Sequence, residues 1–160
     1  RLSNDDGSVN DARWDRADTE PWASNERTFD ADGALVVQRI GSDDGSVYSV
    51  RHDVAGLAEW ATSESAFDAD GRLTIAVRTL DSGARTVKRY DAADDHAWAS
   101  IEQSYEADGR LLAQTTVNDD GGRVETIWDL HDAGAWSSIE SVFDATGNLI
   151  TRHVVPDAAP

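Results

Sequence analysis

Apolar side chains along this chain come in short alternating runs punctuated by Asp and Gly, as in LTIAVRTL (73–80) and SVYSVRHD (46–53). Alternation of this kind, rich in β-branched residues and bounded by turn formers, predicts strands. No segment sustains the 3.6-residue period that would predict a helical bundle.

The strands recur with a fixed period. Trp22, Trp60, Trp98 and Trp136 are 38 residues apart each time, and the units align without insertion. Each Trp is followed four residues later by Glu (Glu26, Glu64, Glu102, Glu140) and seven later by an aromatic (Phe29, Phe67, Tyr105, Phe143). Gly33, Gly71, Gly109 and Gly147 recur with a Leu two places on, and Asp43, Asp81, Asp119 and Asp157 follow. An exact period of this length is the signature of a tandem-repeat architecture. We read one repeat domain over 1–160, with units 22–59, 60–97 and 98–135 and partial units 1–21 and 136–160. Asp5, Gly7 and Asp15 keep the first partial unit in register with Asp43, Gly45 and Asp53.

Each unit predicts about three antiparallel strands. The first runs from about Ser24 to Phe29, or Ile101 to Tyr105. It ends at FDADG, FDADG, YEADG or FDATG, whose leading acid and closing Gly suit a type I turn with a left-handed Gly, so Gly71 and its counterparts are expected at positive φ. The second strand holds LVVQRI, LTIAVRTL, LLAQTTV or LITRHVV, and a DDG or DSG turn leads to the third. A polar connection of about seven residues, with room for one helical turn, reaches the next Trp. Three strands per unit would reverse each successive unit if every connection were a hairpin, so the long connection is expected to cross to a new sheet or blade. The fold class is therefore all-β, an open or curled array of four repeats. The alternative is a closed, propeller-like ring in which the N-terminal strand completes the last repeat.

Phe67-Asp68-Ala69-Asp70-Gly71-Arg72-Leu73 resembles the Tyr-Asp-x-x-Gly-Arg-Leu signature of the YD repeats in RHS-type proteins, and Tyr90-Asp91 supplies a second such pair. Tyr105 to Leu111 matches with Glu in the Asp place. The resemblance covers about a third of each unit; the 38-residue period and the tandem Trp depart from the family pattern. It implies β-hairpin strips, extracellular or at the cell surface, that in the family curl into shells or stalks.

Charge narrows the partners. Fourteen basic residues against thirty-one acidic ones give a net charge of −17, which opposes nucleic acid, whose phosphates require Lys and Arg. It equally opposes anionic membrane surfaces. No apolar run approaches the ~20 residues that span a bilayer, so no membrane insertion is expected. Cys is absent, which excludes disulfides and thiolate chemistry, and Met is absent too, which reads as a mature or excised piece of a longer product. Protein and glycan partners stay open.

Candidate chemistry is sparse. The four Trp (Trp22, Trp60, Trp98, Trp136) are expected to pack between units, with stacking of sugars or partner side chains as the binding alternative. The four Glu (Glu26, Glu64, Glu102, Glu140) are expected on solvated strand positions, or as a charged row. Asp30/Asp32, Asp68/Asp70 and Glu106/Asp108 look superficially like calcium loops, yet the ligand series stops at Gly, and Thr146 breaks it in the last copy. Turn chemistry is the expected role of these acids, with no metal or other cofactor. His52, His96, His131 and His153 share no repeat position and no zinc spacing. The expectation is a non-catalytic structural repeat region of a larger bacterial surface or secreted protein, acting as spacer or adhesion scaffold. The alternative is a glycan- or protein-binding module using the Trp and Glu rows; an enzyme is not expected.

Overall fold

The computed structural model describes residues 2–157, all of it strand, turn and connection, with no helix among the described residues. Two units are distinguished, one ending at Asp81 and one starting at Ser82. The first contains β1 (Leu2–Ser3), β2 (Val9–Trp14), β3 (Trp22–Phe29), β4 (Leu35–Ser42), β5 (Val47–His52), β6 (Trp60–Phe67) and β7 (Leu73–Leu80). The second contains β8 (Arg85–Tyr90), β9 (Trp98–Tyr105), β10 (Leu111–Asn118), β11 (Arg123–Trp128), β12 (Trp136–Phe143) and β13 (Leu149–Pro156). In each unit the strands hydrogen-bond in chain order, every pair antiparallel. The ring alternative is not what forms: β2 lies between β1 and β3 of its own unit, not beside the last repeat.

Both short turns are built alike. Gly33 N–H donates to Asp30 O (3.1 Å) and Asp30 N–H to Ala34 O (2.9 Å), while Gly45 and Ser42 do the same at the second turn. Gly33, Gly45 and Gly71 have φ of 85°, 86° and 78°, the left-handed geometry that the sequence predicts for Gly71. The turn acids act locally, since Asp68 Oδ1 accepts from the N–H groups of Asp70 (3.0 Å) and Arg72 (2.8 Å).

The long connection differs from expectation. It neither turns helically nor crosses to another sheet. It closes a wide hairpin, with Asp53 N–H donating to Ala61 O (3.0 Å) and β5 paired directly with β6. Successive repeats therefore do run in opposite directions. A chain that keeps progressing across a sheet while its strands reverse must also turn its face over, as in a two-fold screw about an axis crossing the strands. The registers show it. Arg27 pairs through Gln38 and Val50 to Glu64, whereas Glu26 pairs through Arg39 and Ser49 to Ser65. Glu26 and Glu64, one repeat apart, lie on opposite faces.

Local contacts survive this reversal because a screw preserves them. In the first unit Gly7 and Gly45 sit against Ala31 and Ala69; in the second, Gly83 and Gly121 sit against Ala107 and Ala145. A Cβ on any of these glycines would lie 3.1–3.3 Å from the alanine Cβ. The DDG-type turn of one repeat is thus seated on the DADG-type turn of the next.

Within each unit the described strands form one layer, with no second layer of that unit over either face. Among the described residues only Val87 (8% exposed), Ser100 (9%) and Gly122 are buried, and no side chain is fully enclosed. Cohesion comes instead from cross-strand pairs, each worth ~0.2–1 kcal/mol, such as Arg85 over the Tyr105 ring (4.7 Å) and Arg123 over Phe143 (4.1 Å).

Two glycines of equal φ should therefore behave differently. Gly71 has open space at its Cβ position, so Gly71→Ala should cost about 1 kcal/mol, from the backbone alone. Gly45→Ala should cost more, and adding Ala69→Gly should recover the excess. Urea titration of the three variants tests this; equal losses for Gly45→Ala and Gly71→Ala would show that the turn contact contributes nothing.

Candidate functional site

The connection between third and first strands is organised by one carboxylate. Asp129 accepts from the N–H groups of His131 (3.3 Å), Ala133 (3.0 Å) and Gly134 (2.5 Å), and Asp15 from those of Ala17, Thr19 and Glu20. Hydrogen bonds from backbone amides, Ala133 at Asp129 and Glu20 at Asp15 foremost, hold both carboxyls below the ordinary aspartate range. One position in each connection is left-handed: Asp18 (φ 55°), Gly56 (60°), Asp94 (59°) and Asp132 (50°). Asp tolerates this region better than most residues, which explains why Asp stands there in three copies and Gly in the other.

Each candidate Trp begins the first strand and is half-buried. Its indole packs on its own connection in two of the copies. His96 stacks on Trp98 (centroids 4.9 Å apart, planes at 12°), and a Cβ at Gly134 would fall 2.2 Å from Trp136 Nε1. These two indoles lie back over the residue two places before them.

The four Glu occupy mid-strand positions on alternating faces within each unit. Glu64 accepts a hydrogen bond from Tyr48 OH, and partial burial, aided by this bond, pushes the Tyr48 phenol up to about 12. Glu102 lies 3.5 Å from Lys88 Nζ. Glu26 and Glu140 are exposed. Neighbouring Glu residues in a unit thus do not line up with one another; each belongs to a row running across the strands. One such row reads Gln103, Gln114, Thr126, Glu140 and His153, directly opposed across β9 to β13. This row escaped sequence reasoning because it depends on register.

Two shallow grooves in the first unit are also repeat-equivalent. One, of about 430 Å³, is lined by Val9, Asp11 and Phe29; the other, of about 360 Å³, by their counterparts Val47, Ser49 and Phe67 on the opposite face. No protein-family model matches the chain, and no curated protein matches it. The YD-repeat resemblance therefore stands on the motif residues alone.

One polar cluster breaks the repeat symmetry. His131 Nε2 lies 2.6 Å from Glu106 Oε1, and Arg110 donates to Glu106 (2.9 Å), Asp108 (2.7 Å) and Leu130 O (3.0 Å). It clasps the β9–β10 turn to the β11–β12 connection. Among the described residues no group of three or more His, Cys, Asp or Glu is placed to hold a metal ion. No helix is long and apolar enough to cross a membrane.

Two expectations follow for the connections. Gly56→Asp should change stability by no more than ~0.5 kcal/mol, whereas Gly56→Val should lose ~1–2 kcal/mol by chemical denaturation; equal effects would overturn the left-handed assignment. The lowered aspartates also set an acid limit. Their stabilisation is complete above the unfolded aspartate value of ~3.9 and is lost as pH falls through the folded values. At Asp144, hydrogen bonds led by the Asn148 side chain take that value to about 2. Urea midpoints should fall steadily between pH ~5 and ~2, and Asp129→Asn should flatten that slope.

Proposed function

We propose that this chain is a non-catalytic structural repeat region of a larger bacterial surface or secreted protein, serving as spacer and adhesion scaffold. The observation that carries the reading is the seating of a turn Gly against a turn Ala of the next repeat, which recurs at Gly7, Gly45, Gly83 and Gly121 so closely that an added Cβ would lie 3.1–3.3 Å from the Ala Cβ. Such an array is stabilised by nearest neighbours and can change length without a new core. The YD-type motifs point the same way, since the family they resemble builds extended strips outside the cell.

The charge pattern suits an exposed scaffold. Ten of the fourteen basic residues lie in strands, against only six of the thirty-one acidic ones. The turns and connections thus concentrate the negative charge, and like-charged rims keep such molecules soluble and apart.

A spacer must tolerate a change of repeat number. Inserting a second copy of residues 22–59 after Glu59 should give a folded, more stable protein, with a maximum dimension by small-angle scattering increased by ~14 Å for three strands at ~4.8 Å each. Unfolding of the inserted variant, or an unchanged dimension, would overturn the reading.

A further inference from the structure

We propose that the second unit carries a binding track for an extended, neutral β-1,4-linked polysaccharide, formed by Gln103, Gln114, Thr126, Glu140 and His153. This goes beyond a scaffold role, because a spacer needs no ligand.

The five residues are mutually opposed across β9, β10, β11, β12 and β13, so they share one face. Adjacent strands are ~4.7–4.9 Å apart, which makes the row a line of polar groups at that spacing, roughly 19 Å long. The counterpart in the first unit is Arg27, Gln38, Val50, Glu64 and Val77, where Val50 and Val77 interrupt the polar line. The opposite face of the second unit has Lys88, Glu102, Thr115, Glu125, Ser141 and Arg152, whose charges partly satisfy each other, as Lys88 does with Glu102 at 3.5 Å.

In the proposed track the polar groups are oriented yet not exhausted. Gln103 Oε1 accepts from Arg89 (2.8 Å) and Tyr105 OH (3.0 Å), and Gln103 Nε2 donates to Gln114 Oε1 (2.8 Å). The amide nitrogen of Gln114 and the hydroxyl of Thr126 are left for an outside partner. Tyr105 and Trp128 lie on the same face, each two residues farther along its strand than Gln103 and Thr126. The Tyr105 ring is already covered by Arg85 (4.7 Å), so the Trp128 ring is the one that suits the apolar face of a pyranose, while the track supplies donors and acceptors for its hydroxyls.

Spacing selects the polymer. An extended peptide repeats on one face every ~6.6–6.8 Å and drifts out of step with the strands. An extended β-1,4-linked gluco-configured chain advances one sugar over nearly one strand spacing with alternate sugars turned over, so it presents equivalent groups at every second strand. Charge selects further. Outside its strands the second unit carries eleven acidic residues and one basic residue, Arg110, so a polyanion lying along the track is repelled from both flanks.

Titrating the whole chain with cello- and N-acetylated chito-oligosaccharides of two to six sugars, followed by amide NMR shifts and calorimetry, tests the proposal. Affinity should rise with each sugar to about five and then level off, with shifts centred on Gln114 and Thr126. Gln114→Ala and Thr126→Val should each weaken binding about 3- to 10-fold, and Thr115→Val on the other face should leave it unchanged. No binding at millimolar sugar, equal affinity for two and six sugars, or equal losses from Thr115→Val would overturn it. Those outcomes leave the scaffold reading intact, since that rests on repeat insertion.

Discussion

Within each unit, strands in threes joined by hairpins impose the constraint from which the other features descend. An odd number of reversals leaves each repeat antiparallel to the one before it, and a sheet that continues sideways must then present the opposite face. Identical sequence can still make identical contacts, because a screw rotation carries the turn of one repeat onto the turn of the next. Gly45 on Ala69 and Gly121 on Ala145 are that operation at the level of single atoms. Any side chain repeated in sequence has to work equally well on either side of the sheet.

That requirement explains the lack of a core. A face could be made apolar only by making both faces apolar, and a single layer with two greasy faces would aggregate. The strands instead mix apolar and polar residues on both sides, and stability comes from ladders of backbone bonds, cross-strand pairs and turn seating. Connections anchored by a carboxylate such as Asp129 add local rigidity where a globular protein would use packing. The acidic residues gather outside the strands because those are the places where solvent and turn chemistry accept them.

Period, strand content and turn type were legible in the sequence, since each is set by residues close together along the chain. Gly71 at positive φ is the clearest case: an acid, two residues and a Gly leave little alternative. The first strand proved to begin at the Trp itself, two residues before Ser24, because a bulge between Trp22 and Ser24 lets pairing continue. What sequence could not convey was direction across the sheet. The seven-residue connection carries polar, turn-forming residues whether it crosses over or folds back, and only the capping of its amides by Asp53 or Asp129 decides for the hairpin. The Glu positions were legible one by one. Their neighbours across the strands were not, because bulges shift the register and decide which side chains meet.

The face reversal also has a hereditary consequence. Duplicating a repeat copies a surface feature to the other side of the sheet, where it cannot extend the original patch. Glu26 and Glu64 are one such inheritance, the same residue handed to opposite sides. Lineages that enlarge a patch on one side must therefore let neighbouring copies diverge. The polar line through Gln114 and Thr126 illustrates the point, since the residue two repeats before Thr126 is Val50, which breaks the equivalent line in the first unit.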